Sequence, residues 1–282
     1  MRDAFAVVLA MACAADPGYQ GRSSTDWITQ LSHADAVHRA EAARALGHVL
    51  ALRPRYPRVV SALVDALGDT SDLVQLAAAG ALVRDGVRSP EAVPGIARAL
   101  RDSAHARVRA QSAVILGQMG EEARAAVPEL IRALADAVAE VRAAASAALG
   151  MIGDTTETVV SALVGRGADS AVSVRVAIAD AFMHLGTSNP SVIRHLIVAL
   201  SDSASAVRAA AALTLGDFGP RARAAQTMLQ QVAAEDSVAH VRVRASLAVD
   251  AIEGRVRQGA ARLEPTLEER CRTPGNRRDR RC

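Results

Sequence analysis

The sequence predicts an all-α solenoid of about seven helical hairpins, and three observations support that prediction. A pattern of Asp, four residues, Val-Arg, a small-residue run and Leu-Gly-x-x-Gly recurs along the chain, most completely from Asp136 to Gly153. Successive copies lie 36, 34, 33, 33, 33 and 34 residues apart. Strand patterns are nearly absent and only 2% of the residues are aromatic, so thin layers of small side chains are expected. The aligned positions are Arg39, Gln75, Arg109, Arg142, Arg175, Arg208 and Arg242.

Residues 1–22 precede the repeats and have two interpretations. Residues 4–12 form an apolar run that is too short to span a bilayer but long enough for a signal peptide. Ala12-Cys13 resembles the end of a bacterial lipobox, although Ala10 stands where that motif prefers Leu. We favour export, with lipidation at Cys13 as the only link to a membrane and a polar tether up to residue 22. The alternative is an apolar cap on the array of a cytoplasmic protein.

The array of repeats is predicted to run from residue 23 to residue 253. Ser23 and Asp26 have the spacing of a capping box, which marks a helix start. Trp27, Ile28 and Leu31 follow as the apolar residues of that first helix.

The fourth repeat shows both helices of a unit. Apolar residues recur at helical spacing over residues 127–134, and Pro128 stands in the first turn, where its missing N–H costs nothing. Asp136 opens the turn between the helices, and residues 141–149 form the second helix. Seven glycines are predicted to end second helices. They are Gly117, Gly120, Gly150, Gly153, Gly186, Gly216 and Gly219.

Two other first helices are predicted from proline. Pro90 and Pro190 stand at helix starts, each directly after a residue that is favourable as an N-cap, Ser89 and Asn189.

Residues 254–282 depart from the period and are predicted to be a disordered tail. The net charge of the chain is +3, and residues 270–282 contribute +5 from six Arg and one Asp, which leaves about −2 for the rest. Cys271 and Cys282 lie in this tail; they are expected to pair if the protein is exported and to be free thiols if it is cytosolic.

The repeated residues resemble those of HEAT-repeat proteins, in particular the bacterial PBS-lyase HEAT-like repeats. The HEAT signature has Pro in the first helix, Asp in the turn and Arg six residues later. Asp102 and Arg109 are seven apart, which we interpret as an inserted residue, while His33 replaces Asp before Arg39. The pairs six apart are Asp69 with Gln75, Asp136 with Arg142, Asp169 with Arg175, Asp202 with Arg208, and Asp236 with Arg242.

This resemblance implies a right-handed α–α superhelix of the HEAT or armadillo type, in which the second helices line the concave face. The repeated Asp and Arg residues are expected to form a structural ladder, because Asp can accept bonds from backbone N–H groups and from an Arg fork. Outward positions of the second helices are the predicted partner-binding residues: Arg44, Gln111, Asp180 and Arg244.

No catalytic constellation stands out in the sequence. The seven His residues form neither H-x-x-x-H nor His-Glu dyads, and the three Cys form no C-x-x-C pair. Phosphate-binding loops and nucleophile elbows are also missing. We therefore expect neither an enzyme nor a cofactor or metal site.

The favoured function is a monomeric scaffold that binds a protein or peptide along the concave face. One alternative, implied by the PBS-lyase resemblance, is a bilin lyase, for which six aromatic residues furnish a poor pocket. The other is a nucleic-acid-binding solenoid, which the near-neutral charge of the array disfavours.

Overall fold

The computed structural model describes residues 18–52, 56–84 and 90–255. In this part of the chain, fourteen α-helices form seven consecutive hairpins, here called repeats 1 to 7. The helices are α1 (Ser24–Gln30), α2 (Ala36–Leu52), α3 (Pro57–Ala66), α4 (Asp72–Arg84), α5 (Val93–Asp102), α6 (Ala106–Met119), α7 (Val127–Ala133), α8 (Ala139–Ile152), α9 (Glu157–Gly165), α10 (Val172–Leu185), α11 (Pro190–Ala199), α12 (Ser205–Phe218), α13 (Gln226–Glu235) and α14 (Ala239–Ile252). Short 3₁₀ segments, Pro90–Ala92, Gly120–Ala126 and Gly219–Ala225, precede three of the first helices.

The helices form two layers, with first helices (odd numbers) in the outer layer and second helices (even numbers) in the inner layer. Inner helices of neighbouring repeats contact one another more extensively than outer helices do. The array therefore curves with the inner helices on its concave side. The core is one continuous strip of Ala, Val, Leu and Ile between the layers. The predicted all-α solenoid of helical hairpins is confirmed.

A two-stranded hairpin stands before the first repeat. Strand β1 (Gly18–Tyr19) pairs antiparallel with β2 (Arg22–Ser23). The indole of Trp27 donates a hydrogen bond to the carbonyl of Tyr19 at 3.1 Å, and the guanidinium of Arg22 lies over the indole ring. The ring of Tyr19 stacks on His48 of α2. Residues 18–22, assigned above to a tether, thus pack on repeat 1, while Cys13 lies outside the described residues.

Local signals start two outer helices as predicted. Ser23 and Asp26 form a reciprocal capping box at α1. At α11, the side chain of Asn189 accepts a hydrogen bond from the N–H of Val192, and Pro190 occupies the first turn. Ser89 lies outside the described residues.

The glycines of the repeat have two different roles, which corrects the prediction that all of them end helices. Gly153 has a φ of +76° and ends α8 in the left-handed conformation. Gly150, by contrast, lies inside α8, where a Cβ atom would stand 2.6 Å from Cα of Ala181 on α10. Gly117 and Gly216 lie inside α6 and α12 in equivalent contacts. These three glycines allow the inner helices to approach closely.

Candidate partner-binding face

A ladder of ion pairs sets the arrangement of the inner helices. At five junctions, Nε and Nη2 of an Arg on one inner helix donate to both carboxylate oxygens of the Asp in the next repeat, at 2.6–2.9 Å. The side chains of these pairs are only 5–16% exposed. A two-bond fork fixes orientation as well as distance. The pairs are Arg39–Asp69, Arg109–Asp136, Arg142–Asp169, Arg175–Asp202 and Arg208–Asp236.

Each ladder residue also binds within its own repeat. For example, Nη1 of Arg175 donates to the carbonyl of Asp169, six residues earlier, at 2.7 Å. The carboxylate of Asp169 accepts the N–H of Ala171 at 2.9 Å, which fixes the turn before α10. The six-residue spacing therefore reflects a bond from Arg to backbone, whereas the carboxylate binds the Arg of the preceding repeat.

The electrostatics of the ladder follow from these bonds. Hydrogen bonds from the guanidinium groups lower the pKa of the five paired aspartates, against an opposing effect of burial. The same bonds raise the pKa of the five arginines. Both partners are therefore held in their charged forms.

The junction between repeats 2 and 3 is different. Gln75 donates to the carbonyl of Asp69 at 2.6 Å, and Oγ of Ser103 donates to Oε1 of Gln75 at 3.0 Å. Ser103, six residues before Arg109, accepts the Nη1 bond of Arg109 through its carbonyl at 2.9 Å. The interpretation that Asp102 belongs to the ladder and is followed by an inserted residue is therefore wrong. Asp102 forms an exposed pair with Arg101 instead.

The two ends of the ladder lack one partner each. At the start, Nη1 of Arg39 binds the carbonyl of His33, which occupies the Asp position. At the end, Arg242 binds the carbonyl of Asp236, and within the described ranges no acid meets the rest of its fork.

The concave face is formed by a repeated stripe of the inner helices. Positions are counted here from the ladder Arg of each repeat, or from Gln75 in repeat 2. The positions two, five and nine residues after it lie within about 60° of one another around the helix, opposite the core. Arg44 and Asp180 occupy the fifth position, and Gln111 and Arg244 the second. Arg44 and Arg244 are exposed, while Gln111 and Asp180 are half-buried. The four predicted residues thus share the stripe but are spread over four repeats.

The structure brings Asp180 and Arg244 into electrostatic range of each other across α12. Burial raises the pKa of Asp180, and the positive charges of His184 and Arg244 act in the opposite direction. Among the described residues, Asp180 has no hydrogen bond or ion pair of its own. Gln111, two repeats away, has a buried Oε1 atom without a hydrogen-bond partner in the same part of the chain.

An apolar pocket of about 300 Å³ lies on the same face between α10, α12 and α14. Its most prominent apolar side chains are Leu213 and Leu247, which are 41% and 49% exposed. Both occupy the fifth position, where repeats 2 to 5 carry Gly80, Val114, Ala147 and Asp180. The other lining residues are Met183, Ala212, Gly216, Asp217, Arg244, Ala248 and Ala251. Sequence reasoning missed this pocket, although leucine at an outward position in two adjacent repeats was the available signal.

A larger crevice of about 810 Å³ opens on the outer side between repeats 5 and 6. Eight residues before the ladder position, repeat 5 carries Gly167, whereas other repeats carry a leucine there: Leu67, Leu134 and Leu200. The ring of His195 occupies the space that a side chain at Gly167 would need. The centroid of the His195 ring lies 5.6 Å from that of Phe182, in an edge-to-face arrangement. Burial lowers the pKa of His195.

Within residues 18–52, 56–84 and 90–255, no three His, Cys, Asp or Glu side chains are grouped closely enough to hold a metal ion. None of the helices there combines the length and the apolar character needed to cross a membrane. Cys271 and Cys282 lie outside these ranges.

Comparison with known proteins gives a family and a set of structural neighbours. A sequence profile of the family described as HEAT repeats matches residues 24–116 and 93–183. No curated protein sequence matches the chain. An archaeal HEAT-like repeats protein from Thermococcus onnurineus NA1 is 12% identical, with a TM-score of 0.58 over 84% of this chain and 99% of that one.

Two other solved structures are similar. Kap95p, solved with RanGDP, is 12% identical, with a TM-score of 0.60 over 84% of this chain and 37% of its own. The complex of CpcE and CpcF of phycocyanin lyase from Nostoc sp. PCC7120 is 23% identical, with a TM-score of 0.49 over 84% of this chain and 97% of that one. At these identities the likeness concerns the fold.

Proposed function

Because the chain belongs to the HEAT-repeat family, we propose that it is a non-catalytic scaffold that binds a segment of a partner protein along its concave face. The observation that carries the proposal is the pocket formed by Leu213 and Leu247. Leu213 and Leu247 leave apolar surface exposed on adjacent inner helices, and apolar anchors in pockets dominate the energetics of protein interfaces.

The shape and charge of the face favour a helical or extended segment. Inner helices pack roughly 8–10 Å apart, so a stripe that repeats on each of them offers regularly spaced contacts to an elongated ligand. Arg244 and Asp217 flank the apolar pocket, which supplies one charge of each sign for orienting a partner. Kap95p, a solenoid of similar fold, is described with RanGDP as its protein partner.

The experiment is affinity purification of the tagged full-length chain from its native host, after nuclease treatment. The wild type is compared with Leu213→Asp/Leu247→Asp and with Val198→Asp. Val198 is 73% exposed on the outer helix α11 and provides the matched control. We expect a stoichiometric protein partner that the control retains and the double variant loses, with affinity reduced at least about 30-fold if the pocket is a hot spot of about 2 kcal/mol.

Three results would count against the proposal. A partner that binds both variants equally would place the interaction on another face. A co-purifying pigment or nucleic acid in place of a protein would favour a different function. An altered melting temperature of the double variant would mean that the leucines stabilise the fold, and the loss of binding would then be indirect.

A further inference from the structure

We propose that the junction between repeats 2 and 3 is a hinge, on which repeats 1 and 2 turn as one arm against repeats 3 to 7. Among the described residues, five junctions carry a two-bond Arg–Asp fork, and this junction carries a neutral hydrogen bond from Ser103 to Gln75 in the place of the fork. Two parallel bonds resist rotation, whereas the units can pivot about one.

The inner-helix seam gives a second and independent observation. Eight residues after the ladder position, repeats 3, 4 and 6 carry the glycines that permit close helix contact, whereas repeat 2 carries Val83 and repeat 5 carries Met183. Of the inner-helix seams in the described residues, the one between α4 and α6 has the least extensive contact. The two arms are therefore joined by thinner packing than the repeats within them.

Two buried polar side chains of α6 also weaken this seam. Gln111 and Ser112 lie one turn before Ile115 on α6. Ile115 occupies the position at which Thr214 of α12 donates to the carbonyl of Ala179 on the preceding inner helix, so this side of α6 is directed toward α4. Within the described ranges, Oε1 of Gln111 and Oγ of Ser112 are both buried without a hydrogen-bond partner. Buried polar groups that lack partners weaken the closed seam relative to an open one, in which water satisfies them.

A crevice of about 450 Å³ lies between α3 and α5, and Gln75 and Ser103 are among its lining residues. This free space leaves room for the outer helices to move together when the inner seam opens. The larger crevice between repeats 5 and 6 lies at a junction that an Arg–Asp fork holds, so it is the missing fork that distinguishes the junction of repeats 2 and 3. Arg44 and Gln111 lie on opposite sides of the hinge, while the pocket of Leu213 and Leu247 lies wholly within the long arm. Hinge motion would therefore widen or narrow the first part of the concave face and leave the pocket unchanged.

The test measures distance distributions between spin labels on the full-length chain, with Cys13, Cys271 and Cys282 replaced by Ser. One label pair crosses the hinge, at Val37→Cys and Val198→Cys. The other lies within the long arm, at Gln118→Cys and Val198→Cys. All three sites are exposed. We expect the crossing pair to show the broader distribution.

The decisive variant restores the ladder at this junction with Gln75→Arg/Ser103→Asp. The crossing distribution is expected to narrow to the width of the within-arm pair, and neither single substitution should have this effect, because each adds one unpaired charge. Equal widths in the wild type, or no narrowing in a folded double variant, would overturn the hinge.

A reciprocal variant keeps the proposal testable if the restored ladder does not fold. Arg142→Gln/Asp169→Ser adds a second neutral junction, between repeats 4 and 5, which lies between the two labels of the within-arm pair. That pair is then expected to broaden. A within-arm distribution that stays as narrow as in the wild type would show that the fork does not control bending.

Discussion

Each ladder aspartate joins three parts of the molecule through one carboxylate. Asp169 accepts two bonds from Arg142 of the preceding repeat and one from the N–H of Ala171 in its own turn. Its backbone carbonyl accepts a fourth bond, from Arg175. A single side chain thus fixes the turn, the start of the following inner helix and the angle to the neighbouring repeat.

Removing the charge of a ladder Asp should lower the free energy of unfolding, whereas removing the charge of an exposed Asp outside the ladder should change it negligibly. Asp169→Asn keeps an acceptor for Ala171 but removes the charge that faces Arg142, so we expect destabilisation of about 2–4 kcal/mol, since hydrogen bonds to charged groups contribute about 1.5–3 kcal/mol each. Asp102→Asn, in a pair whose side chains are 51% and 54% exposed, should leave the free energy of unfolding unchanged within error. Urea denaturation measures both, and equal losses would contradict the structural role of the ladder.

The inner helices depend on close contact between backbones. Small residues fill their facing surfaces, and Gly150 leaves room for Ala181 where any Cβ atom would collide. Neighbouring outer helices contact one another less, and their buried positions carry larger side chains such as Leu130 and Leu196. This difference between the layers accords with a curvature that places the inner helices on the concave side.

A single methyl group added at Gly150 tests this close contact between inner helices. Gly150→Ala should destabilise the protein by about 1–3 kcal/mol, because the added Cβ meets backbone atoms that cannot move aside easily. Gly80→Ala is the matched control on α4, where nothing lies within 4 Å of the added Cβ. The control should be neutral or stabilising by up to about 1 kcal/mol, since alanine is the better helix former. Thermal melts compare the two, and a tolerated Gly150→Ala would refute the close-contact role.

At the scale of the whole molecule, each repeat is supported only by its neighbours, so each Arg–Asp pair of the ladder stabilises one junction of the array. Its five aspartates share one environment and all have a lowered pKa because of the guanidinium bonds. They should therefore respond together to acid.

The sign of the pH dependence follows from the direction of these shifts. A carboxyl whose pKa is lower in the folded state contributes stability above its unfolded pKa of about 3.9, and this contribution is lost as the pH falls through the folded value. Burial also lowers the pKa of His195, so a modest decline of the melting temperature is expected as the pH falls from about 7 to about 5. The aspartates of the ladder add a steep decline below about pH 4. Asp169→Asn should reduce the steepness, and an unchanged slope would show that the ladder does not titrate as described.

The sequence by itself determined the hairpins, their period and all but one of the ladder positions, because helix periodicity, caps and turns depend on neighbours along the chain. Only the tertiary structure showed that each fork binds the Asp of the following repeat and that Ser103, not Asp102, occupies the ladder position. It also separated the packing role of Gly150 from the terminating role of Gly153, and it assembled Leu213 and Leu247 into a pocket. These features depend on the twist and spacing between repeats, which are set by contacts between side chains roughly thirty residues apart that no local pattern encodes.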